Sequence, residues 1–318
     1  MSTNKNGMRR FASFTAVVAV LALALSACSS SGYGSDLNPK TSKYVFDKFN
    51  NGQFLDTFTP GEPEEGITLE AMVQLSALGY DSAKQAKAIQ WAAQNVDSFD
   101  SIGLKATYVF AAHTLGFAED QSVRSAVDAI VAGIEDDGSL TGSNNYVYSW
   151  VIFALLSEGQ KELANSVALK LSTLAEVSGG YKYIQGDQQN PTATDVTSFA
   201  IMSMKASLGT GSETEEAAKE FAISKAKTIV AGSIVDGTHW ESYGDLDMSG
   251  TAYAIMALAS LDQDVSDSVN WLKTRISPTE GGVIAPWSEP SSDLFSSAQS
   301  LLALSKVSFI DVLENTVK

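Results

Sequence analysis

Six stretches of eight residues, at 71–78, 108–115, 148–155, 197–204, 251–258 and 297–304, are built of apolar and small residues with almost no charge. Each follows a glycine-containing turn and a polar segment. The pattern is plainest where Gly179-Gly180-Tyr181 leads to Asp195 and the stretch at 197, and where Asp236-Gly237 and Trp240 lead through Asp245 and Asp247 to the stretch at 251. Glu280-Gly281-Gly282, Trp287 and Asp293 repeat it before 297, and Asp136-Asp137-Gly138 before 148. Asn51-Gly52 with Phe54, and Ser101-Ile102-Gly103, are weaker copies. The apolar stretches end 37 to 54 residues apart, and the variation falls mostly in the loops, where changes of length cost little.

Between the apolar stretches lie segments of a different kind. Residues 41–50, 81–95, 120–134, 160–177, 214–234 and 265–276 carry charges on one face and Ala, Val, Ile or Leu on the other at helical spacing. These predict outer helices with one face in water. The uncharged stretches predict inner helices packed on every side, whose Ala and Ser residues let neighbours approach closely. Six alternating outer and inner helices predict an all-α fold, an (α/α)6 toroid of six hairpins over 39–318, with an open helical solenoid as the rival.

The amino terminus follows another pattern. Lys5, Arg9 and Arg10 precede an apolar run from 11 to 25, and Leu25-Ser26-Ala27-Cys28 follows at once. This order is that of a secretory signal over 1–27. The tetrapeptide resembles the bacterial lipobox, in which cleavage before the cysteine leaves an amino-terminal residue that carries acyl chains, palmitate among them. Cys28 is the chain's single cysteine, and residues 28–38 read as a flexible tether. The expected partner is therefore the bacterial membrane, through acylated Cys28, with the folded domain on the extracytoplasmic side.

Charge narrows the partners. Removal of 1–27 takes away three basic residues and no acidic one, moving the formal charge from −16 to −19. Such a surface repels nucleic acid. Only Arg124 and Arg275 remain among the arginines, too few for a dedicated phosphate clamp.

Gly-Gly-Tyr at 179 or Asp-Gly-x-x-Trp at 236, a polar loop, and Asp before Thr-x-x-Ala-x-x-Ala-Leu together resemble the repeat of the prenyltransferase and squalene oxidase superfamily. That superfamily includes terpenoid cyclases and the helical domain of cobalamin carriers. The resemblance is strong over 135–305 and implies the toroid; enzymes and binders both use it. Class II cyclases use an Asp-x-Asp-Asp acid, and here Asp245-Leu246-Asp247-Met248 lacks the last acid. Prenyltransferases hold zinc through Asp, Cys and His, whereas this chain has no second cysteine, and His113 and His239 fall in different parts of different repeats. No metal and no cofactor are expected. Cobalamin carriers add a β domain, for which the 14 residues after Leu304 leave no room.

In a toroid the loops before all inner helices gather at one rim. Tyr181, Tyr183, Trp240, Tyr243 and Trp287, with Asp195, Asp245, Asp247 and Asp293, are the expected ligand-binding residues there, and Phe54 and Tyr146 join the collar. Aromatics and carboxylates suit a small molecule, a glycan, a peptide or a cation better than a phosphate. Two competing roles apply: Tyr181 and Trp240 as wedges between repeats, and Asp195 and Asp247 as helix caps. The expected function is a non-catalytic, lipid-anchored binding protein. The alternatives are an enzyme of terpenoid cyclase or polysaccharide lyase type, for which His239 beside Tyr243 is the compact pair, and a structural envelope protein. An enzyme predicts converging titratable groups in a deep pocket, a binder an aromatic mouth, a scaffold a filled centre.

Overall fold

The computed structural model describes residues 36–140, 142–184 and 191–317. The expected signal at 1–27, the expected acylation site at Cys28 and the expected tether up to residue 35 lie outside the described residues. Among those described, no helix is long and apolar enough to cross a membrane.

The helices run α1 (Pro39–Asp47), α2 (Glu65–Ala77), α3 (Ala86–Asn95), α4 (Ile102–Thr114), α5 (Gln121–Ala132), α6 (Asn145–Ser157), α7 (Lys161–Thr173), α8 (Thr194–Ala206) and α9 (Glu213–Gly232). After a two-residue hairpin, β1 (Glu241–Ser242) with β2 (Asp245–Leu246), come α10 (Met248–Ser260), α11 (Ser266–Thr274), α12 (Leu294–Gln299), α13 (Leu301–Leu304) and α14 (Phe309–Thr316). The six apolar stretches fall in α2, α4, α6, α8, α10 and the α12–α13 pair. Each of these packs against the next, and α12–α13 packs against α2, which closes the ring and excludes the open solenoid.

Burial explains the two helix classes. Helix α10 buries every residue from Gly250 to Leu258, whereas α5 buries Val123, Ala126, Val127 and Ile130, one stripe at helical spacing. The outer helices are all shorter than their charge pattern predicts, α3 and α7 by the most. Helix α3 begins at Ala86 because Asp81 folds the preceding residues into a turn, accepting from the Lys84 N–H at 3.1 Å. Helix α7 ends at Thr173 because the chain from Glu176 enters a glycine hairpin, with the Gly179 N–H donating to the Glu176 carbonyl at 2.8 Å.

A buried clasp recurs between the glycine turns and the inner helices. The N–H groups of Leu55, Tyr181, Trp240 and Val283 donate to the hydroxyls of Thr68, Thr197, Thr251 and Ser297 at 2.9, 2.9, 3.0 and 2.7 Å. The carbonyls of the same four residues accept from Glu64, Ala193, Asp247 and Asp293 at 2.7–3.0 Å. A backbone segment with both groups satisfied can lie buried between helices, and its side chain then fills the gap. Glycine is required at one of these turns for space as well as backbone angle: Gly138 has φ +80°, and a Cβ there would lie 2.3 Å from the Ser166 carbonyl oxygen of α7.

Ring closure is polar too. Thr41 Oγ1 of α1 donates to the Gly281 carbonyl at 2.9 Å and Asn38 Nδ2 to the Leu304 carbonyl at 2.9 Å. Helix α14, for which the repeat pattern has no counterpart, turns back beneath the ring and contacts α2, α4, α6 and α8. Its fully buried Phe309 lies against Trp150, Phe199 and Phe153, with ring centroids 5.2, 5.5 and 6.0 Å apart. The lower half of the ring is thereby filled.

Candidate functional site

Above that aromatic floor is a cavity of about 580 Å³, lined from the first turns of all six inner helices or the residues just before them. Ile67 and Glu70 come from α2, Leu104 and Thr107 from α4, Tyr146, Val147 and Trp150 from α6, Asp195 from α8, Ser249 from α10, and Phe295 and Gln299 from α12, while Asn144, Tyr183 and Asp247 reach it from loops. Six helix N-termini at one mouth follow from the alternation of outer and inner helices, since every inner helix then runs the same way. No Lys, Arg or His is among the described residues lining this cavity.

Its deepest charged group is Glu70, which is only 4% exposed. Its Oε1 accepts from Tyr253 Oη and Gln74 Nε2, both at 2.9 Å, and its Oε2 accepts a long bond from Gln299 Nε2 at 3.4 Å. Burial pushes the Glu70 carboxyl up to about 7; the three donors oppose the rise, and Asp195 adds to it. Asp195 sits in the first turn of α8, and Ala193 takes the N-cap position. Burial, and then the neighbouring Asp247, push Asp195 up to about 6. Asp247 caps α10: one carboxylate oxygen accepts from the Gly250 N–H and the other from Ser242 Oγ, each at 2.7 Å.

The expected rim residues divide. Tyr183, Asp195 and Asp247 line the cavity. Tyr183 is 51% exposed, and its loop is docked on the start of α6, the Asn145 N–H donating to the Tyr183 carbonyl at 3.1 Å. Tyr181 and Trp240 are fully buried in the clasps and do not reach the mouth. Trp240 Nε1 donates to the Val230 carbonyl at 2.7 Å, and Tyr181 Oη contacts Met204 Sδ at 3.7 Å, so both act as wedges. In the sixth unit Val283 fills the wedge position, and Trp287 is 64% exposed on the loop beyond it, outside the cavity lining. Tyr243, 74% exposed, turns the hairpin at φ +56° ahead of Gly244, which leaves Asp245 on an outward strand position. Asp293 caps α12 through the Ser296 N–H at 2.7 Å. Phe54, expected at the collar, packs on Trp91 with ring centroids 5.5 Å apart and is not among the described lining residues, while Phe58 is tilted against the lining residue Phe295 at 5.6 Å.

Neither histidine enters the site. His113, at the last turn of α4, bonds Glu158 at 2.5 Å, far along the helix from the cavity end. His239 stacks on Trp271 with ring centroids 4.6 Å apart and bonds Thr238 Oγ1 at 3.0 Å. The expected His239–Tyr243 pair therefore does not converge on the cavity. Among the described residues no cluster of His, Cys, Asp and Glu could hold a metal ion.

Pattern reading passed over Glu70, Gln299 and Tyr253. A signal for Glu70 was present: it is a carboxylate between Leu69 and Ala71-Met72-Val73, at the centre of an otherwise apolar helix. Nothing in the sequence marked Gln299 or Tyr253 as its partners.

Fold and site together define an α/α toroid with a blind, acidic, aromatic-floored cavity. No protein-family model and no curated protein matches the sequence. Among solved structures the chain is similar to the type II terpene cyclase MstE from Scytonema, at 14% identity over 85% of this chain and 96% of that one, with a TM-score of 0.63. It is also similar to an inactive variant of the α-1,6-mannanase GH76A of Salegentibacter in complex with α-1,6-mannotetrose, at 13% identity over 86% and 98% of the chains (TM-score 0.61). Haptocorrin in complex with Cbi matches at 15% identity over 87% and 67% (TM-score 0.53). The shared fold joins cyclases, glycan-processing enzymes and a binding protein.

Proposed function

We propose that this chain is a lipid-anchored extracytoplasmic protein that holds a neutral glycan in the cavity of its toroid. The observation that carries the reading is the lining: Trp150, Tyr146, Tyr183 and Phe295 offer flat faces, while Asp195, Asn144 and Gln299 offer hydrogen-bonding groups, with no cation among the described lining residues. Sugar rings present apolar faces and hydroxyl edges, which match such a wall. Phosphorylated and other anionic ligands would meet Glu70, Asp195 and Asp247 without a counter-charge. The anchor rests on the tetrapeptide ending at Cys28 and on the basic and apolar segments before it.

Binding is favoured over chemistry because the carboxylates are largely occupied. Both oxygens of Asp247 serve the α10 cap and Ser242, and Glu70 accepts three side-chain bonds. An enzyme that works by acid catalysis is the second reading, favoured by one observation: two carboxyls raised to about 7 and about 6 share one cavity.

The test is an intrinsic-fluorescence titration of residues 29–318 with a panel of neutral oligosaccharides, using Trp150 in the cavity wall as reporter. A saturable change that weakens at least tenfold in Asp195→Asn and in Tyr183→Ala supports the reading. A panel with no saturable response refutes it, and mass analysis of the bound sugar, cleaved or intact, separates enzyme from binder. Metabolic labelling with a palmitate analogue, lost in Cys28→Ser, tests the anchor.

A further inference from the structure

Of the side chains bonded to Glu70, only one can accept its proton. Gln74 Oε1 accepts from the Leu302 backbone N–H at 3.0 Å, a group that can only donate, so Gln74 must turn its NH2 toward Glu70. Gln299 Oε1 accepts from Ser249 Oγ, and its Nε2 faces Glu70 Oε2. Both amides are donors only. Of the side chains bonded to Glu70, Tyr253 alone can accept, and its hydroxyl is bonded in turn to the hydroxyl of Tyr146 in the cavity wall.

We propose that Glu70, Tyr253 and Tyr146 form a hydrogen-bond relay that makes Tyr146 the specificity-determining group of the cavity, a donor to ligand oxygen when Glu70 is protonated and an acceptor when Glu70 is ionised. In the protonated state Glu70 donates to Tyr253, Tyr253 to Tyr146, and Tyr146 to the ligand. Loss of the proton proceeds in balance: one proton leaves Tyr146 for the ligand or water, one passes from Tyr253 to Tyr146, and one from Glu70 to Tyr253. Both tyrosines end neutral and Glu70 ends as the carboxylate, with both hydroxyls now pointing inward. Burial and the nearby Glu70 hold both phenols well above their ordinary value, so neither gives up a net proton itself.

The other ionisable groups around the relay are few. Asp195 faces both Glu70 and Tyr146 from α8, Asp247 at the N-cap of α10 lines the same cavity beside Asp195, and Tyr183 faces Tyr146 from its loop. On α4, Lys105 donates to the carbonyls of Val96 and Phe99, and His113 pairs with Glu158 at the opposite end of the helix. On α1, Tyr44 bonds the Ser292 carbonyl at 3.4 Å and Lys43 pairs with Asp47. Helix α13 has no ionisable side chain, and on α14 Asp311 serves the Ser308 capping box while Glu314 is exposed. Asp195 is therefore the group whose titration must be separated from that of Glu70.

The relay can be tested without any ligand, so its failure is distinct from failure of the glycan reading. Residues 29–318 are labelled with 13C at tyrosine Cζ and glutamate Cδ, Tyr146 and Glu70 are assigned from Tyr146→Phe and Glu70→Gln, and spectra are followed from pH 5 to 9. The relay predicts that Tyr146 Cζ follows the Glu70 Cδ midpoint near pH 7. It predicts that this step survives in Asp195→Asn, is lost in Glu70→Gln, and is lost in Tyr253→Phe while Glu70 itself still titrates. A Tyr146 signal that stays flat while Glu70 Cδ titrates in the wild type would overturn it. So would a step that persists in Tyr253→Phe, or one that disappears in Asp195→Asn alone.

Discussion

Glu70→Gln should change how the stability of the toroid depends on pH, in a direction set by burial. The folded protein holds the Glu70 proton up to about pH 7, whereas an ordinary glutamate releases it near 4.5. Between those values the folded state binds more protons than the unfolded state, so unfolding releases a proton and stability falls as pH rises. The contribution is complete below pH 4.5 and lost once pH passes 7. At about 1.4 kcal/mol per pH unit, the rise from 4.5 to about 7 corresponds to roughly 3 kcal/mol. The amide in the Glu70→Gln variant keeps an acceptor for Tyr253 and Gln74 and has no proton to lose. The stability difference, variant minus wild type, should therefore grow by about 3 kcal/mol between pH 4.5 and 8. Urea unfolding followed by circular dichroism at half-unit pH steps measures it. A difference that stays constant within about 0.5 kcal/mol, the scatter of unrelated surface changes, would refute the assignment of a buried, proton-holding carboxyl.

Two further outcomes follow from the packing. Phe309→Ala removes the ring that α14 inserts among Trp150, Phe153 and Phe199, and should cost about 3–5 kcal/mol in the same unfolding measurement. Lys219 is fully buried, donating to Asn165 Oδ1 and the Ser207 carbonyl at 2.8 Å and to Glu216 Oε1 at 2.9 Å. Glu216→Ala leaves that charge short of its counter-ion and should cost about 3 kcal/mol; a loss within about 0.5 kcal/mol, the scatter of unrelated surface changes, would contradict this.

Much of the fold was legible along the chain. An octet such as 251–258 has no polar side to offer water, so it can only be an inner helix, and α5 shows one apolar stripe and must lie outside. Six alternations predict a toroid with an open solenoid as rival, closure of α12–α13 on α2 selects the toroid, and the toroid sends six inner N-termini to one mouth. The position of the cavity was therefore readable from the sequence pattern.

Its composition was read less well. Tyr181 and Trp240 stand at the turns of the two plainest repeats because they belong to the repeat itself: each fills a clasp whose N–H and carbonyl are bonded inside. Repetition marks what holds units together, and the residues that give the cavity its polar groups depart from the repeat. Glu70, Tyr146 and Gln299 are departures of that kind, each found in a single unit. Tyr146 was placed at the collar, but its bond to Tyr253 joins α6 to α10 across 107 residues, and Gln299 meets Glu70 across 229.

By itself the sequence determined the helices, their inner or outer place, the common mouth and the acidity of the surface, because periodicity and charge act over a few neighbouring residues. Tertiary structure alone decided the rest. Closure of α12–α13 on α2 brings Gln299 and Gln74 onto one carboxyl, and the return of α14 puts a floor under the cavity. Both depend on distances between residues far apart in the chain, which no local pattern encodes.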